Sequence, residues 1–544
     1  MDPRRAFVFL AVTLTAGLTL WGIAWPPAFS GFVLLAPIIF VGVADMRQTT
    51  HAIRRNFPVI GHGRYLLEAI RPEINQYFVE SNTDGTPFSR ELRSLVYQRA
   101  KNVTDTVPFG TERDVYAVGY EWINHSMLAR TPTDHSPRIS IGGRYCERPY
   151  SASLLNISAM SFGALSHAAV RALNRGAKLG NFAHNTGEGG LSPYHAEGGG
   201  DLIWQLGTGY FGARDAEGNF DPEAFSDKAR LENVKMIELK ISQGAKPGHG
   251  GILPAGKLTA EIAQIRGVPL GKDVLSPPGH RAFSTPRELL LFIEELRRLS
   301  GRKPVGFKLC VGKPSELFAI AKAMLETGIT PDFITVDGAE GGTGAAPLEF
   351  SNVVGTPLRE GLVLVHNTLT GIGMRDQVRI LAAGRVITGF DVAHRLALGA
   401  DAVYSARGMM FALGCIQARR CNSNDCPTGI ATQNPALIKG LSVTDKASRV
   451  ANFHRNTLHA FAEILAAAGL EHPEDLRPWH VQRRLNATDV RSLADVYHFV
   501  EPGAFLENDI PEQFRSAWHA ARPDSFERVE PARPTPYVRL AVVN

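Results

Sequence analysis

Two long apolar runs open the chain and differ from everything that follows them. Residues 6–25 carry no charge, residues 28–44 form a second apolar run, and Pro26-Pro27 separates the two. A helix of roughly twenty residues spans a bilayer core of about 30 Å, so the first run can cross and the second nearly so. We therefore predict a transmembrane helical hairpin in residues 1–48. A cleaved signal peptide is the alternative, although no small-x-small cleavage site follows the first run.

Basic residues flank this hairpin on both sides. They are Arg4, Arg5, Arg47, Arg54 and Arg55. Because positive charge favours the cytoplasmic side, both ends of the hairpin are expected in the cytoplasm. The predicted location is therefore the cytoplasmic membrane, with two spanning helices and the rest of the chain facing the cytoplasm.

Short apolar strands alternate with amphipathic helices from residue 154 onward. The strand candidates are residues 154–160, 181–185, 236–241, 305–310, 333–336, 378–382 and 402–405. The helical stretches between them include residues 167–179, 285–299, 317–327 and 392–398. Such alternation is typical of a parallel sheet, and seven candidates with one easily missed strand predict an α/β fold of the (β/α)8 TIM-barrel type. An open doubly wound sheet is the alternative, but it would place a Gly-x-Gly-x-x-Gly turn after the first strand.

The remaining segments have weaker patterns. Residues 49–150, with helical stretches at 66–70 and 91–100, are interpreted as an adaptor between the hairpin and the barrel of residues 151–450. Residues 451–544 are interpreted as a helical and irregular extension. Among 544 residues, 44% are apolar and 20% are charged, and the formal net charge is +5. This charge is too small and too dispersed to indicate a nucleic-acid partner.

Three of the five cysteines lie close together in the sequence. Cys415, Cys421 and Cys426 occur in GCIQARRCNSNDCPTG, in a C-x5-C-x4-C arrangement. An odd number of thiols cannot pair off as disulfides, and soft thiolates select zinc, copper(I) or iron–sulfur clusters. Structural zinc needs four ligands, and no C-x-x-C pair is present, so an iron–sulfur cluster is favoured over zinc. A cysteine-rich turn without a ligand is the other alternative.

Polar residues follow the predicted strands at their carboxyl ends, where barrel enzymes build their sites. Five strand ends contribute Ser158, Ala159, Met160, Ser161, Asn185, Glu188, Lys240, Gln243, Lys246, Lys308, Asp337 and Gly338. Lysines at a barrel mouth are costly unless an anionic partner binds, so Lys240, Lys246 and Lys308 suggest a ligand such as a reduced flavin.

Glycine-rich loops come late in the barrel. Gly341, Gly342 and Gly344 follow the fifth strand candidate, and Gly384 and Gly389 follow the sixth. Because glycine lets backbone N–H groups approach an anion closely, these loops are the best candidates for a phosphate site. Barrels commonly hold phosphate in the loops after their last two strands.

Several long motifs resemble the synthase domain of glutamate synthase large subunits. They are QGAKPGHGGILP at 243–254, SPPGH at 276–280, DGAEGGTGAAP at 337–347, HNTL at 366–369 and the segment 414–435 around the cysteines. The likeness covers about residues 151–450, and the hairpin is similar to the short, membrane-tethered type of the FMN-binding glutamate synthase family. The resemblance implies an oxidoreductase that carries FMN and a [3Fe-4S] cluster. It also implies reduction of the imine of 2-oxoglutarate and ammonia to L-glutamate.

The same resemblance implies roles for individual residues. The three cysteines match the cluster ligands, residues 158–162 match the segment along the flavin ring, and Gly341, Gly342 and Gly344 match the phosphate-side loop. Lys246 matches a lysine that contacts the oxo acid, and Arg266 matches an arginine that holds a carboxylate. Glu188 matches a glutamate proposed to receive or activate ammonia. A structural ion pair is the alternative for each of these charged side chains.

Two departures from the family pattern concern the substrate. The usual KPGEGGQLPG reads KPGHGGILPA here, so His249 replaces a glutamate and Ile252 replaces a glutamine that helps to hold 2-oxoglutarate. Losing that polar contact leaves the identity of the oxo acid open. An alternative function is a membrane-associated flavin oxidoreductase acting on another imino acid, amine or quinone, and a further one is a non-enzymatic scaffold.

The partners follow from what the sequence resembles and what it does not. No segment resembles an amidotransferase domain, so nitrogen is expected as free ammonia or as glutamine-derived nitrogen from a separate protein. No second dinucleotide-binding domain is evident, so electrons are expected from a ferredoxin-like donor or a reductase subunit.

Overall fold

The computed structural model describes residues 2–103, 105–507 and 510–527. It divides into two compact units, Met1–Arg90 and Glu91–Asn544. The predicted boundaries at residues 48, 150 and 450 stay predictions. The last part of the predicted carboxyl-terminal extension, residues 528–544, lies outside the described residues.

The first unit begins with two apolar helices, Pro3–Ala24 and Phe32–Arg47, joined by a short 3-10 helix over Pro26–Gly31. The 3-10 helix begins at the two prolines, which lack the backbone N–H groups that a helix interior needs. The first helix is 22 residues long, and the second is 22 residues long when it is counted together with the 3-10 turn, from Pro26 to Arg47. By length and composition both can cross a membrane, as the sequence predicted.

Three helical segments complete the first unit. Ala52–Asn56 is short, and Gly61–Ile74 continues directly into a π turn over Asn75–Val79. Most apolar side chains of residues 57–79 are exposed.

The second unit contains a closed barrel of eight parallel strands, which confirms the predicted fold class. In chain order the strands are β1 (Leu155–Ile157), β2 (His184–Asn185), β3 (Leu202–Leu206), β4 (Val234–Lys240), β5 (Val305–Leu309), β6 (Phe333–Asp337), β7 (Arg379–Ala383) and β8 (Ala402–Ser405). The missing candidate was β3, whose five residues are all buried.

Helices surround the barrel. They are α1 (His167–Gly180), α2 (Pro193–Ala196), α3 (Pro222–Ala229), α4 (Pro286–Leu299), α5 (Pro314–Thr327), α6 (Leu358–Gly371), α7 (Gly389–Ala397) and α8 (Val443–Ala467). Helix α4 shows why they form: Thr285 and Glu288 make a capping box, and Leu289, Ile293 and Leu296 are fully buried on one face. Burying each such side chain contributes about 1.5–3 kcal/mol. Helix α8 crosses the predicted boundary at residue 450 and packs against α1 and α7.

Antiparallel strands close the amino-terminal end of the barrel. Arg138–Ile141 pairs with Tyr150–Ser153. Ile141 and Tyr150 share one apolar cluster with residues near the starts of the barrel strands, such as Phe333 and Ala402. The polar functions predicted for the opposite, carboxyl-terminal end are therefore separated from this apolar plug.

Smaller elements decorate the barrel. Glu121–Ile123, Val481–Arg484 and Val490–Ser492 form a three-stranded antiparallel sheet, although the sequence predicted no strands in the carboxyl-terminal extension. Ile252–Leu253 pairs with Val274–Leu275 in the long insertion between β4 and α4. The other helices are Arg90–Lys101, Ala260–Arg266, Leu348–Val353, Arg407–Leu413, Pro435–Ile438, Leu493–Val496 and Glu512–Ala520.

The HNTL motif of helix α6 has a structural explanation. Asn367 donates from Nδ2 to the carbonyl oxygen of His498 at 2.7 Å and accepts from the backbone N–H of Val500 at 3.2 Å. His366 Nδ1 accepts a hydrogen bond from Arg375. The motif holds a carboxyl-terminal segment against helix α6. None of these three hydrogen bonds involves a predicted cofactor residue.

Candidate active site

A buried ion pair lies at the carboxyl ends of β5 and β6. Lys308 Nζ is 3.1 Å from Asp337 Oδ2, and both side chains are almost fully enclosed. Burial alone would lower the pKa of Lys308, but the carboxylates of Asp337 and Glu238 raise it above its usual value. Lys308 is therefore a permanent cation at the barrel mouth.

A second ion pair joins the loop after β2 to the end of β4. Lys240 Nζ donates to Glu188 Oε1 at 2.6 Å and to Gln243 Oε1 at 2.5 Å. Burial alone would raise the pKa of Glu188, but the Lys240 ammonium lowers it, and Lys246 and Arg266 add to that effect. Glu188 is thus an ionised carboxylate facing three cations.

Lys246 and Arg266 come from the insertion after β4. Lys246 Nζ donates to the carbonyl oxygen of Ala345 at 2.9 Å, and burial lowers the pKa of Lys246 to about 8 against the opposing effect of Glu188. The Arg266 guanidinium donates to Phe162 O at 3.3 Å and lies over the Phe211 ring at 5.1 Å. Burial lowers the pKa of Arg266 to about 10, still well above neutrality.

Gly189 in the NTGEGG loop leaves the space that Arg266 occupies. A Cβ atom at Gly189 would lie 2.9 Å from Arg266 Nη2 and 3.1 Å from the carbonyl oxygen of Phe162. The glycine is required here by close packing, and its loop brings Glu188 into the same cluster as the arginine.

The segment after β1 lies beside these loops. Ser158 N donates to Ser405 O at 3.1 Å, and Met160 N donates to Asn185 O at 3.0 Å, so the segment is held between β8 and β2. Ser158 and Met160 are buried. Ala159 and Ser161 lie between and after them, which places the predicted flavin-side segment at the barrel mouth.

A polar network fills the barrel beneath the mouth. Glu238 of β4 accepts hydrogen bonds from Asn185 and Gln205 at 2.7 Å each and from Thr335 at 2.6 Å. Asn185 also accepts from the backbone N–H of Gly187 at 3.0 Å. Gln205 and Glu238 were missed in the sequence, because residues buried inside an apolar strand give no local signal of their partners.

The SPPGH motif supplies a support for Lys240. His280 Nε2 lies 2.8 Å from the carbonyl oxygen of Lys240, and Nδ1 lies 3.0 Å from the Tyr210 hydroxyl. Burial lowers the pKa of His280 to about 4, so the ring is neutral at pH 7. A neutral ring can donate one proton to the Lys240 carbonyl and accept one from Tyr210, which fixes the end of β4.

Two arginines missed in the sequence flank the glycine loops after β6 and β7. Arg407 donates from Nη2 to Glu340 O at 2.6 Å, and a Cβ at Gly342 would lie 2.9 Å from its Nε. Burial lowers the pKa of Arg407 to about 10, and repulsion from Arg385 adds to the effect. Asp337 and Glu340 oppose this lowering, so the two arginines share their surroundings with two carboxylates. An anionic group would further stabilise the arginines.

The predicted phosphate glycines differ in their surroundings. Gly338 N donates to Ala383 O, and Gly341 N donates to Gly338 O, so the loop after β6 folds back on β7. Gly344 has open space around it, and Gly384 has a φ of 152°. Gly389, in contrast, packs against α8, where a Cβ would lie 2.5 Å from Phe461 N. Its phosphate role stays a prediction, with packing as a sufficient reason for the glycine.

These residues fit an FMN. The arginines and glycine loops after β6 and β7 suit its phosphate, and the β1 segment with Lys240 and Lys308 suits an electron-rich ring. Asp337 joins the two halves, since Gly244 N donates to Asp337 Oδ2 at 3.1 Å.

The three cysteines lie on one irregular loop between the Arg407–Leu413 and Pro435–Ile438 helices, and all are free thiols. Burial raises the pKa of Cys415 to about 12 and raises that of Cys421. Burial would also raise the pKa of Cys426, but hydrogen bonds from Thr428 and neighbouring backbone N–H groups lower it overall. The thiols act on one another's ionisation and so lie near each other.

The cysteine loop has some features of a metal site. Among the residues that the structure describes, no three His, Cys, Asp or Glu side chains could hold one metal ion. Hydrogen bonds to the cysteine sulfurs are typical of iron–sulfur sites. Gln417 N donates to Cys415 Sγ at 3.4 Å. The loop fits a cluster in these respects, and the cluster stays a prediction.

Lys257 connects the cysteine loop to the segment after β1. Its buried ammonium donates to the carbonyl oxygens of Ala164 at 2.7 Å, Cys421 at 3.1 Å and Ala431 at 3.1 Å. Burial lowers the pKa of Lys257 to about 8, and thiolates at Cys421 and Cys426 oppose that effect. An anionic thiolate cluster would therefore stabilise this ammonium. No local sequence pattern indicates this role, since Lys257 lies in the insertion after β4.

Comparison with known proteins gives a consistent relationship. A family model described as a conserved region in glutamate synthase matches residues 134–471. The glutamate synthase large subunit-like protein YerD of Bacillus subtilis is 39% identical over 515 residues, which cover 87% of this chain and 98% of that protein. An archaeal glutamate synthase [NADPH] of Methanocaldococcus jannaschii is 36% identical over 326 residues. That alignment covers 59% of this chain and 60% of the archaeal protein.

Solved structures show more distant similarity. A flavocytochrome b2 variant with sulfite bound has a TM-score of 0.41 and 14% identity, covering 87% of this chain and 96% of that chain. Mandelate oxidase with (S)-2-phenylpropionate has a TM-score of 0.39 and 18% identity, and the match covers 74% of this chain and 98% of that chain.

Proposed function

The chain belongs to the glutamate synthase family and is an oxidoreductase acting on CH–NH2 donors, and from this premise we propose a specific reaction. In this reaction the enzyme reduces the imine formed from 2-oxoglutarate and ammonia to L-glutamate, with electrons from an external carrier. Bound FMN would supply the hydride-transfer chemistry. A [3Fe-4S] cluster on Cys415, Cys421 and Cys426 would supply one-electron transfer to it.

The observation that carries this proposal is the charged cluster at the barrel mouth. One ionised carboxylate, Glu188, lies among Lys240, Lys246 and Arg266. A dicarboxylate substrate needs cations for its two carboxylates, and a reaction with ammonia needs a group that holds or moves a proton. Lys246 and Arg266 would orient the oxo acid, and Glu188 would bind ammonia or exchange a proton at its Oε atoms. Lys308 and Lys240 would stabilise negative charge on the reduced cofactor.

The location and partners form part of the proposal. The hairpin of residues 1–48 anchors the protein in the cytoplasmic membrane, and the catalytic barrel faces the cytoplasm. A ferredoxin-like protein or a reductase subunit supplies electrons, and nitrogen arrives as ammonia or from a separate glutamine-hydrolysing protein.

The reaction is tested with protein purified without oxygen. Reduced ferredoxin, 2-oxoglutarate and ammonium are supplied, and glutamate formation is measured together with flavin and iron content. We expect glutamate to form only when all three reactants are present. A flavin-containing preparation that forms none would overturn the substrate assignment and leave the fold and family unchanged.

Lys246 gives the reaction a predicted pH dependence. Its ammonium binds a substrate carboxylate, and its pKa is lowered to about 8, so binding weakens as the proton is lost above that pH. We expect kcat/KM for the oxo acid to fall about tenfold per pH unit on the alkaline side. In Lys246→Arg the fall should move to higher pH, whereas Lys313→Arg, at an exposed position, should leave it in place. An unchanged alkaline limb in Lys246→Arg would contradict this role.

A second candidate function is favoured by the two apolar helices. They would place the protein beside lipid-soluble quinones, so a quinone-linked amine or imino-acid oxidoreductase is the alternative. His249 and Ile252 stand where the family has a glutamate and a glutamine. His249 packs edge-on against Phe350 at 5.2 Å, and Ile252 lies in the short ladder opposite Leu275. Turnover with a quinone and an amino acid, without 2-oxoglutarate-dependent turnover, would select this alternative.

A further inference from the structure

An exposed apolar stripe runs along the last helix of the first unit. The helix Gly61–Ile74 and its π-turn continuation place apolar residues at intervals of three to four, which brings them to one face. The exposed fractions in this stripe are 63% for Leu66, 61% for Leu67, 40% for Ile70, 37% for Ile74 and 85% for Phe78. A continuous apolar stripe with side chains this exposed indicates an interaction surface.

The connection between this helix and the second apolar helix is well defined. Asp45, in the last turn of the apolar helix, is buried and pairs with His62 Nε2 at 2.8 Å. Asp45 also accepts from the backbone N–H of Val59 at 2.9 Å. Arg54 lies over the Tyr65 ring at 4.6 Å. Because these contacts tie three segments together, the direction in which the helix leaves the apolar hairpin is fixed.

The charge of this region is positive. Residues 47–79 contain five arginines and two glutamates, a difference of three positive charges. Arg47, Arg55, Arg64 and Arg71 are exposed. An exposed apolar stripe accompanied by arginines is the composition of helices that lie in the interface of a membrane with anionic lipids.

We propose that residues 52–79 form a membrane-surface platform. The stripe inserts into the boundary between head groups and acyl chains of the cytoplasmic leaflet, and the arginines contact anionic phospholipid head groups. The bilayer is favoured as the occupant because the platform begins five residues after the end of an apolar helix long enough to span it. This inference rests on the proposed membrane location of the hairpin.

The test uses the full chain in nanodiscs and a lipid-soluble diazirine that labels residues in contact with acyl chains. Nanodiscs contain phosphatidylcholine alone or phosphatidylcholine with phosphatidylglycerol, and labelled peptides are identified by mass spectrometry. We expect labelling of both apolar helices in each lipid, and labelling of Leu66, Leu67 and Ile70 that increases with phosphatidylglycerol. Leu179 and Leu291, 65% and 53% exposed on the barrel unit, serve as unlabelled controls.

Charge reversal sharpens the test. In Arg64→Glu/Arg71→Glu, the fraction of molecules whose stripe is inserted into anionic nanodiscs should fall about five-fold or more for each arginine. Labelling of the two apolar helices should stay unchanged. The matched variant Arg175→Glu/Arg298→Glu, on the barrel unit, should label like the parent.

The outcomes separate the two proposals. Unlabelled apolar helices would overturn the membrane hairpin itself. If both apolar helices are labelled but the stripe is labelled no more than Leu179 and Leu291, the platform proposal is wrong. The proposal of a membrane hairpin is then retained. Crosslinks from the stripe to a second copy or to the barrel unit would likewise overturn the platform, because they would identify a protein occupant.

Discussion

Replacing Glu188 with glutamine is expected to reduce glutamate formation by about 10²–10⁴-fold, the usual contribution of a positioned acid or base. Glutamine has nearly the same shape but cannot be ionised at neutral pH. Glu188 is the carboxylate that balances Lys240, with Lys246 and Arg266 close enough to lower its pKa further. Its removal would leave three cations in one buried cluster and no carboxylate to take or give a proton.

The kinetic pattern distinguishes a chemical role from a structural one. If Glu188 binds ammonia or exchanges a proton, kcat should fall and KM for ammonium should rise, while FMN content stays near that of the parent. Loss of FMN together with a lower unfolding temperature, and unchanged kcat in the flavin-loaded fraction, would indicate a purely structural ion pair.

The control for this variant is Glu197→Gln. Glu197 makes a half-exposed ion pair with Arg171 on the outside of the barrel. Surface pairs of this kind contribute at most about 1 kcal/mol, so the control should keep near-parental turnover. A Glu188→Gln enzyme that retains more than about one tenth of the parental rate would contradict the proposed role.

Replacing Cys421 with serine is expected to abolish the iron–sulfur signal and all carrier-dependent turnover. A serine hydroxyl does not provide the soft thiolate that such clusters select. Cys421 lies in the middle of the loop, and its carbonyl oxygen accepts a hydrogen bond from Lys257. The side chain can therefore be changed while the backbone contact that holds the loop remains.

The measurements are iron and sulfide content and spin-resonance spectra of protein prepared without oxygen. Reduction of bound flavin by dithionite should still occur in Cys421→Ser, because it does not need the carrier route. Cys146→Ser is the matched control, since Cys146 is half-buried and its thiol lies against the carbonyl oxygen of Arg302. An undiminished cluster signal in Cys421→Ser would show that the three-cysteine assignment is wrong.

Local sequence patterns predicted most of the barrel. Seven strands were located within a few residues, because each combines an apolar run with a polar or glycine-rich end. Strand β3, Leu202–Leu206, was missed, although its five residues are all buried like those of β5 and β6. The antiparallel strand Val481–Arg484 was missed because its partner Glu121–Ile123 lies hundreds of residues earlier. Val490–Ser492, which pairs with Val481–Arg484, was missed with it.

The candidate site shows a similar division. Lys240, Lys308 and Asp337 could be named from the sequence because they end strands, and strand ends of a parallel barrel meet at one face. Arg385, Arg407, Glu238 and His280 could not, because each acts through a partner distant in the chain. A local pattern carries no information about such partners.

The sequence by itself therefore determined the alternating strands and helices, the apolar hairpin, the cysteine spacing and the motifs that identify the family. These depend on the order and chemistry of neighbouring residues. Only the tertiary structure decided that Glu188 lies against Lys240, that Lys257 joins the cysteine loop to the segment after β1, and that Gly389 is required for packing. Barrel closure brings residues far apart in the chain into contact, and their charge states then depend on burial and on one another.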